Sequence, residues 1–200
     1  MKLTPATSCV RGRPSSRIVI TSAIAVVVAS VLLNGCSLFS TREPDSPITE
    51  SGTFIQPDKP EQVVSNIQSA IAELNTLNYR RSLDQALDFR PTASADARSP
   101  VFGNWTRAQE EQYFSTLAAA AASGSGHSLL LNDQSFTIIS DARFVLDATY
   151  VLTINHNRTD ADTNLQGRLQ WVIDKNSDGL WALTAWTDQE LGNVSSWSDL

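Results

Sequence analysis

The chain has 200 residues, 42% of them hydrophobic, with 21 acidic against 15 basic side chains and a formal charge of −6. That balance disfavours nucleic acid and anionic lipid surfaces, which need a basic footprint. Two cysteines (Cys9, Cys36) and two histidines (His127, His156) leave little scope for disulfides, zinc sites or thiol chemistry.

The first element in chain order is an export signal. Lys2, Arg11, Arg13 and Arg17 precede an apolar run from Ile18 to Leu33. The run is short for a spanning helix, which needs roughly 20 apolar residues. Leu33-Asn34-Gly35-Cys36 closes it. Together these residues resemble a bacterial lipoprotein signal peptide. The resemblance implies cleavage between Gly35 and Cys36, with Cys36 lipidated as the first mature residue. Acyl chains contribute about 0.8 kcal/mol per buried methylene, so two or three of them hold a domain permanently. By the same resemblance, Ser37 after the cysteine favours the outer membrane, facing the periplasm of a two-membrane bacterium. The competing reading is an uncleaved anchor with Cys36 a bystander. Against it, Ser37-Leu38-Phe39-Ser40-Thr41 lacks the charged flank that stops transfer. Removal of the signal leaves 11 basic against 21 acidic residues, a formal charge of −10. Lipid rather than electrostatics is then the expected membrane contact.

Residues 36–58 read as a tether, punctuated by Pro44, Pro47 and Pro57. Such a chain spans on the order of 25 Å. One domain is expected over residues 59–200. Pro60 suits the first turn of a helix, and Val63, Val64, Ile67, Ile71 and Leu74 follow with helical spacing. A second short helix is expected from Asn78 to Phe89, with Tyr79, Leu83, Ala86, Leu87 and Phe89 inward; Arg90-Pro91 stops it. Residues 91–100 read as a polar loop. Thr106 and Gln109 form a capping box that opens a helix carrying Tyr113, Phe114, Leu117, Ala118 and Ala121. Ser123-Gly124-Ser125-Gly126 ends it.

The apolar period then changes to two. Strands are expected around Leu130–Ile138, Phe144–Ile154, Leu165–Ile173 and Leu180–Thr187. Turn residues separate them, notably Asn155–Asn164 and Asn176-Ser177-Asp178-Gly179. Helices followed by a meander predict an α+β fold: N-terminal helices on one face of a curved, mainly antiparallel four-stranded sheet.

Trp171-Val-Ile-Asp174, Asp178-Gly179-Leu180-Trp181-Ala-Leu183 and Trp186-Thr-Asp188 resemble the final hairpin of the nuclear transport factor 2-like (cystatin-like, SnoaL-like) fold. Asn104-Trp105-Thr106-Arg107 and Ser196-Trp197 resemble uncharacterised bacterial lipoproteins of that fold. The resemblance implies a narrow cone between helices and sheet, which members use as an enzyme site, a ligand pocket or a core. Tyr79, Trp105, Tyr150, Trp171 and Trp186 are the candidate lining residues; packing alone explains the same residues.

Asp174-Lys-Asn176-Ser-Asp178-Gly179 imitates the start of a calcium loop, but the twelfth position is Ala185 rather than Glu. A hairpin turn explains it equally. His127 and His156 read as solvated loop residues. With no His pair and no remaining thiol, no metal and no cofactor is expected. No Gly-x-Ser-x-Gly elbow is present. Acid–base chemistry would fall to Tyr79, Tyr150, Asp88 or Asp147. Three functions stay open: a non-catalytic binding or assembly module for an envelope protein or small apolar ligand, a small pocket enzyme of isomerase, dehydratase or hydrolase type, and a structural envelope protein.

Overall fold

The structure is a computed structural model that describes residues 52–122, 126–159 and 161–200. Gly35 and Cys36 lie outside the described residues, as does Ser123-Gly124-Ser125. Four α-helices and five strands make up the described domain.

Helix α1, Pro60–Ala72, buries Val63, Val64, Ile67, Ala70 and Ile71 along one stripe. Gln62 reaches back to accept the Lys59 N–H at 2.8 Å, and Pro60 occupies the first turn, where a missing N–H costs nothing. Helix α2, Thr76–Ser82, starts at Asn75, whose side chain accepts from the Asn78 N–H at 3.0 Å. Strand β1, Leu83–Arg90, follows without a break. Helix α3, Ala93–Arg98, is capped by Thr92, and a 3-10 turn spans Pro100–Asn104. Helix α4, Arg107–Ala120, carries the expected capping box of Thr106 and Gln109. Strands β2 (Ser128–Ser140), β3 (Arg143–Thr153), β4 (Asn164–Lys175) and β5 (Trp181–Glu190) complete the sheet. A last 3-10 turn covers Trp197–Asp199.

The sheet order is β1-β5-β4-β3-β2. Strand β1 lies parallel to β5, and every other neighbouring pair is antiparallel. The expected four-stranded, mainly antiparallel curved sheet is therefore corrected to an open, five-stranded mixed sheet that does not close into a cone. The correction comes from residues 83–90. Leu83 and Leu87 fit both a helical and a strand period, because four residues satisfy either. Phe89, buried two residues after Leu87, fits only the strand. The Asp84 side chain accepts the Ala86 N–H at 2.8 Å, within the irregular stretch before pairing with β5 resumes at Asp88. The expected loop at 91–100 likewise holds α3 and a 3-10 turn.

The face of the sheet under the helices carries Leu146, Tyr150 and Leu152 from β3, Leu165, Leu169, Trp171 and Ile173 from β4, and Leu183 and Trp186 from β5, all buried. Gly167 pairs with Tyr150 across β4 and β3. A Cβ at Gly167 would lie 2.6 Å from the Tyr150 hydroxyl, so glycine makes the space this phenol occupies. Strand β2 changes phase midway. Asp133 has φ +50°, and the register slips between Asn132 and Ser135. Leu129 and Leu131 point inward before the bulge; Phe136 and Ile138 share that face after it. Leu130, within the strand expected over Leu130–Ile138, therefore lies on the opposite face from Phe136.

Phe89 packs edge-on against Trp186 with ring centroids 5.6 Å apart. Phe89→Ala is expected to cost about 3 kcal/mol, whereas Asp88→Ala, removing an exposed pair with Arg90, costs under about 1 kcal/mol. Urea denaturation of both variants checks β1; equal effects would contradict it.

Candidate functional site

Two carboxylates lie inside the domain. Glu110 has no exposed surface, and Asp188 is 1% exposed. Glu110 sits on the first part of α4, at the head of a stripe continued by Tyr113, Phe114 and Leu117. Asp188 continues the inward phase of Trp186 near the end of β5. Burial of an ionised carboxylate is costly unless donors replace water. Tyr79 donates to Glu110 Oε1 at 2.6 Å and the Trp197 indole N–H does so at 3.2 Å. The Trp105 indole N–H donates to Oε2 at 2.7 Å. For Asp188, Tyr150 donates to Oδ1 at 2.8 Å, while the Ser198 N–H and hydroxyl donate to Oδ2 at 3.0 and 2.6 Å. Burial pushes both carboxyls above their ordinary range, outweighing the hydrogen bonds that act the other way. It pushes the Tyr79, Tyr113 and Tyr150 phenols up as well, and the neighbouring carboxylates add to the rise.

The C-terminal 3-10 turn closes this interior. Trp197 is 1% exposed. Its backbone N–H donates to the Tyr150 hydroxyl at 2.7 Å, and its carbonyl accepts from Tyr113 at 2.6 Å. Its ring stands 5.0 Å from that of Trp186 and 5.4 Å from that of Tyr113. Asp199 accepts from the Ser196 N–H at 2.8 Å and pairs with Arg98. The Tyr113 and Tyr150 hydroxyls tie the tail to α4 and β3, elements it does not adjoin in sequence.

Of the proposed lining residues, Tyr79, Tyr150, Trp171 and Trp186 are buried in one aromatic interior, and Trp105 is half-buried at its margin against Phe102 and Phe89. The indole N–H groups of Trp171 and Trp186 meet no acceptor among the described residues. The acid–base candidates Asp88 and Asp147 lie elsewhere. Asp88 is exposed and bonded to Arg90 at 2.9 Å; Asp147 is half-buried and accepts from Gln170 at 3.0 Å. Glu110 was missed although it falls on the apolar stripe three, four and seven residues before Tyr113, Phe114 and Leu117. A carboxylate on that stripe is the signal that could have found it. His127, expected in solvent, is 5% exposed: its Nδ1 accepts the Asn155 N–H at 3.2 Å and its Nε2 faces the Ala122 carbonyl at 3.2 Å. The Asn176 turn closes as a hairpin, its side-chain oxygen accepting from the Asp178 and Leu180 N–H groups at 3.0 Å. Asp174, the first position of the calcium-like stretch, is taken by Arg143 at 2.7 Å. Among the described residues no cluster of three or more His, Cys, Asp or Glu side chains could hold a metal ion.

An open pocket of about 630 Å³ lies apart from this closed interior. The start of β1, the β4–β5 turn and the chain before α1 frame it. Phe54, Leu83, Leu180 and Trp181 supply apolar wall; Arg81, Asp84 and Arg107 supply charge. Trp181 is held by its indole N–H, which donates to the Asp58 carbonyl at 3.2 Å.

No family model and no curated protein matches the chain. Solved structures match its fold. A protein provisionally named scytalone dehydratase, from Novosphingobium aromaticivorans, is similar with a TM-score of 0.53 at 10% identity, over 68% of this chain and 89% of its own. A nuclear transport factor 2-like protein of unknown function in nutrient uptake, from Rhodospirillum rubrum, gives 0.52 at 12% identity over 66% and 98%. Another from Cytophaga hutchinsonii gives 0.51 at 14% identity over 66% and 94%. The domain thus has a distant nuclear transport factor 2-like fold, which by itself carries no activity.

The buried carboxyls set a pH dependence. Their raised proton affinity contributes stability that is fully present below the unfolded carboxylate range of about 4 and is lost as pH rises through the folded values. Glu110→Gln removes Glu110's share, flattening the decline, and turns an amide N–H toward a donor at a cost of about 1–3 kcal/mol. Urea denaturation of both proteins from about pH 4 to about pH 8 checks this; parallel curves would contradict it.

Proposed function

We propose that this protein is a non-catalytic binding module, held at a bacterial envelope by lipid on Cys36 and taking a small ligand with an apolar body in its open pocket. One observation carries the choice of binding over catalysis: all four oxygens of Glu110 and Asp188 accept hydrogen bonds from the protein's own groups, and Trp197 fills the space they face. A general acid or base must reach the proton it transfers, and these two are sealed from solvent. The pocket beside Trp181 is preformed and of the size that small-molecule sites have. The lipid anchor and the outer-membrane address rest on Leu33-Asn34-Gly35-Cys36 and Ser37. Among the described residues no helix is long and apolar enough to cross a membrane.

A small pocket enzyme is the second reading, and the raised proton affinity of buried Glu110 favours it. The binding reading expects Glu110→Gln to affect stability only.

The anchor is tested in a two-membrane bacterium by metabolic labelling with an alkynyl palmitate. The wild-type chain is expected to take the label and fractionate with the outer membrane, whereas Cys36→Ala does neither. Ligand binding is tested with the purified full-length protein against a fragment set. Fragments are expected to raise its melting temperature, and Leu180→Arg in the pocket wall abolishes the shift. Label retained by Cys36→Ala, or shifts indifferent to Leu180→Arg, would count against the proposal.

A further inference from the structure

The open pocket brings together two charges of opposite sign that do not neutralise each other. Arg81 lies in the last turn of α2, with its guanidinium 3.8 Å from the ring centroid of Phe54. Its one hydrogen bond among the described residues is to the Asn78 side chain at 3.3 Å, and it has no carboxylate partner there. Asp84 lies three residues on, half-buried, and lines the same pocket. One of its oxygens accepts the Ala86 N–H, and it too has no cationic partner among the described residues. The other guanidinium of the pocket, Arg107, is already matched by Glu111 at 2.6 Å and donates to the Arg80 carbonyl at 3.0 Å.

Arg81 and Asp84 are only three residues apart, but a strand begins between them. Residue 82 ends α2 and Leu83 starts β1, so the helical i,i+3 geometry that would let them meet is lost. Phe54 holds the guanidinium from one side by cation–π attraction, and the turn at Ala86 holds the carboxylate. Leu180 and Trp181 line the same pocket.

Resting on the binding reading above, we infer that this pocket recognises a small zwitterion with an apolar body, of the class of apolar and aromatic amino acids. Arg81 takes the ligand carboxylate through the planar, two-pronged donor set that suits it. Asp84 takes the ammonium, and the side chain lies against Leu180 and Trp181. A purely anionic ligand would leave Asp84 opposing it, and a purely cationic one would meet Arg81. Only a molecule carrying both signs matches both residues.

Titration calorimetry of the full-length protein in nanodiscs, with L-phenylalanine, N-acetylphenylalanine and phenylalaninamide, separates the contributions. Phenylalanine is expected to bind about tenfold or more tightly than either blocked form, since each loses one charge-assisted contact. Arg81→Gln removes the preference over the amide and keeps that over the N-acetyl form. Asp84→Asn does the reverse while retaining an acceptor for the Ala86 N–H. Equal binding of all three compounds, or preferences indifferent to both substitutions, overturns the zwitterion assignment and leaves the binding reading standing. If none of the three binds, the assignment also falls, and the fragment test decides the binding reading separately.

Discussion

The carboxylate of Glu110 is where the domain is tied together. Three aromatic donors converge on it, from α2, from the segment before α4 and from the C-terminal turn. An ionised group with no exposed surface is tolerated only if its lone pairs are matched, so the three partners are fixed relative to one another. Asp188 repeats the device on the sheet side, binding Tyr150 and Ser198. Trp197 spans the two: its side chain donates to Glu110 and its backbone N–H to the tyrosine that serves Asp188. Helices, sheet and tail therefore share one polar framework inside an aromatic core.

That framework divides the molecule's chemistry. The space between helices and sheet is spent on stability, with Tyr79, Phe114, Trp186 and Trp197 packed ring against ring. The Glu110 and Asp188 carboxyls there already have partners, and burial raises their proton affinities. The open pocket lies instead at the margin, where α2 gives way to β1 and the β4–β5 turn meets the chain before α1. There Arg81 and Asp84 have no ion-pair partner among the described residues, Arg107 is paired with Glu111, and apolar wall stands beside them. The fold leaves this margin open because β1 joins the sheet parallel to β5, so that its start, not its end, lies near the β4–β5 turn.

Much of the architecture was legible in the chain. The stripe of α1, the capping box of α4 and the alternation of β3 and β4 each report a face through simple repetition. Legibility failed where two patterns coincide or where a pattern breaks. Leu83 and Leu87 satisfy helix and strand alike, and β1 was hidden behind them. The bulge at Asp133 shifts the phase of β2, so one alternation does not run through the strand expected over Leu130–Ile138. Glu110 and Asp188 stand on inward phases, but a charge on an apolar face is easily discounted, because its burial depends on donors that arrive from distant positions. His127 was placed in solvent for a similar reason: a loop residue's burial depends on what covers it.

By itself the sequence determined which residues turn inward along α1, α4, β3 and β4, and the capping box that opens α4. Those are local properties, set by the repeat of each backbone conformation. Tertiary structure decided what each inward face meets. Pairing of β1 with β5 joins residues about a hundred positions apart, the insertion of Trp197 between Glu110 and Trp186 depends on the chain's last turn returning to α4, and the separation of Arg81 from Asp84 depends on a strand starting between them. None of these is encoded in a repeat, because each rests on the contact of surfaces that only the folded chain brings together.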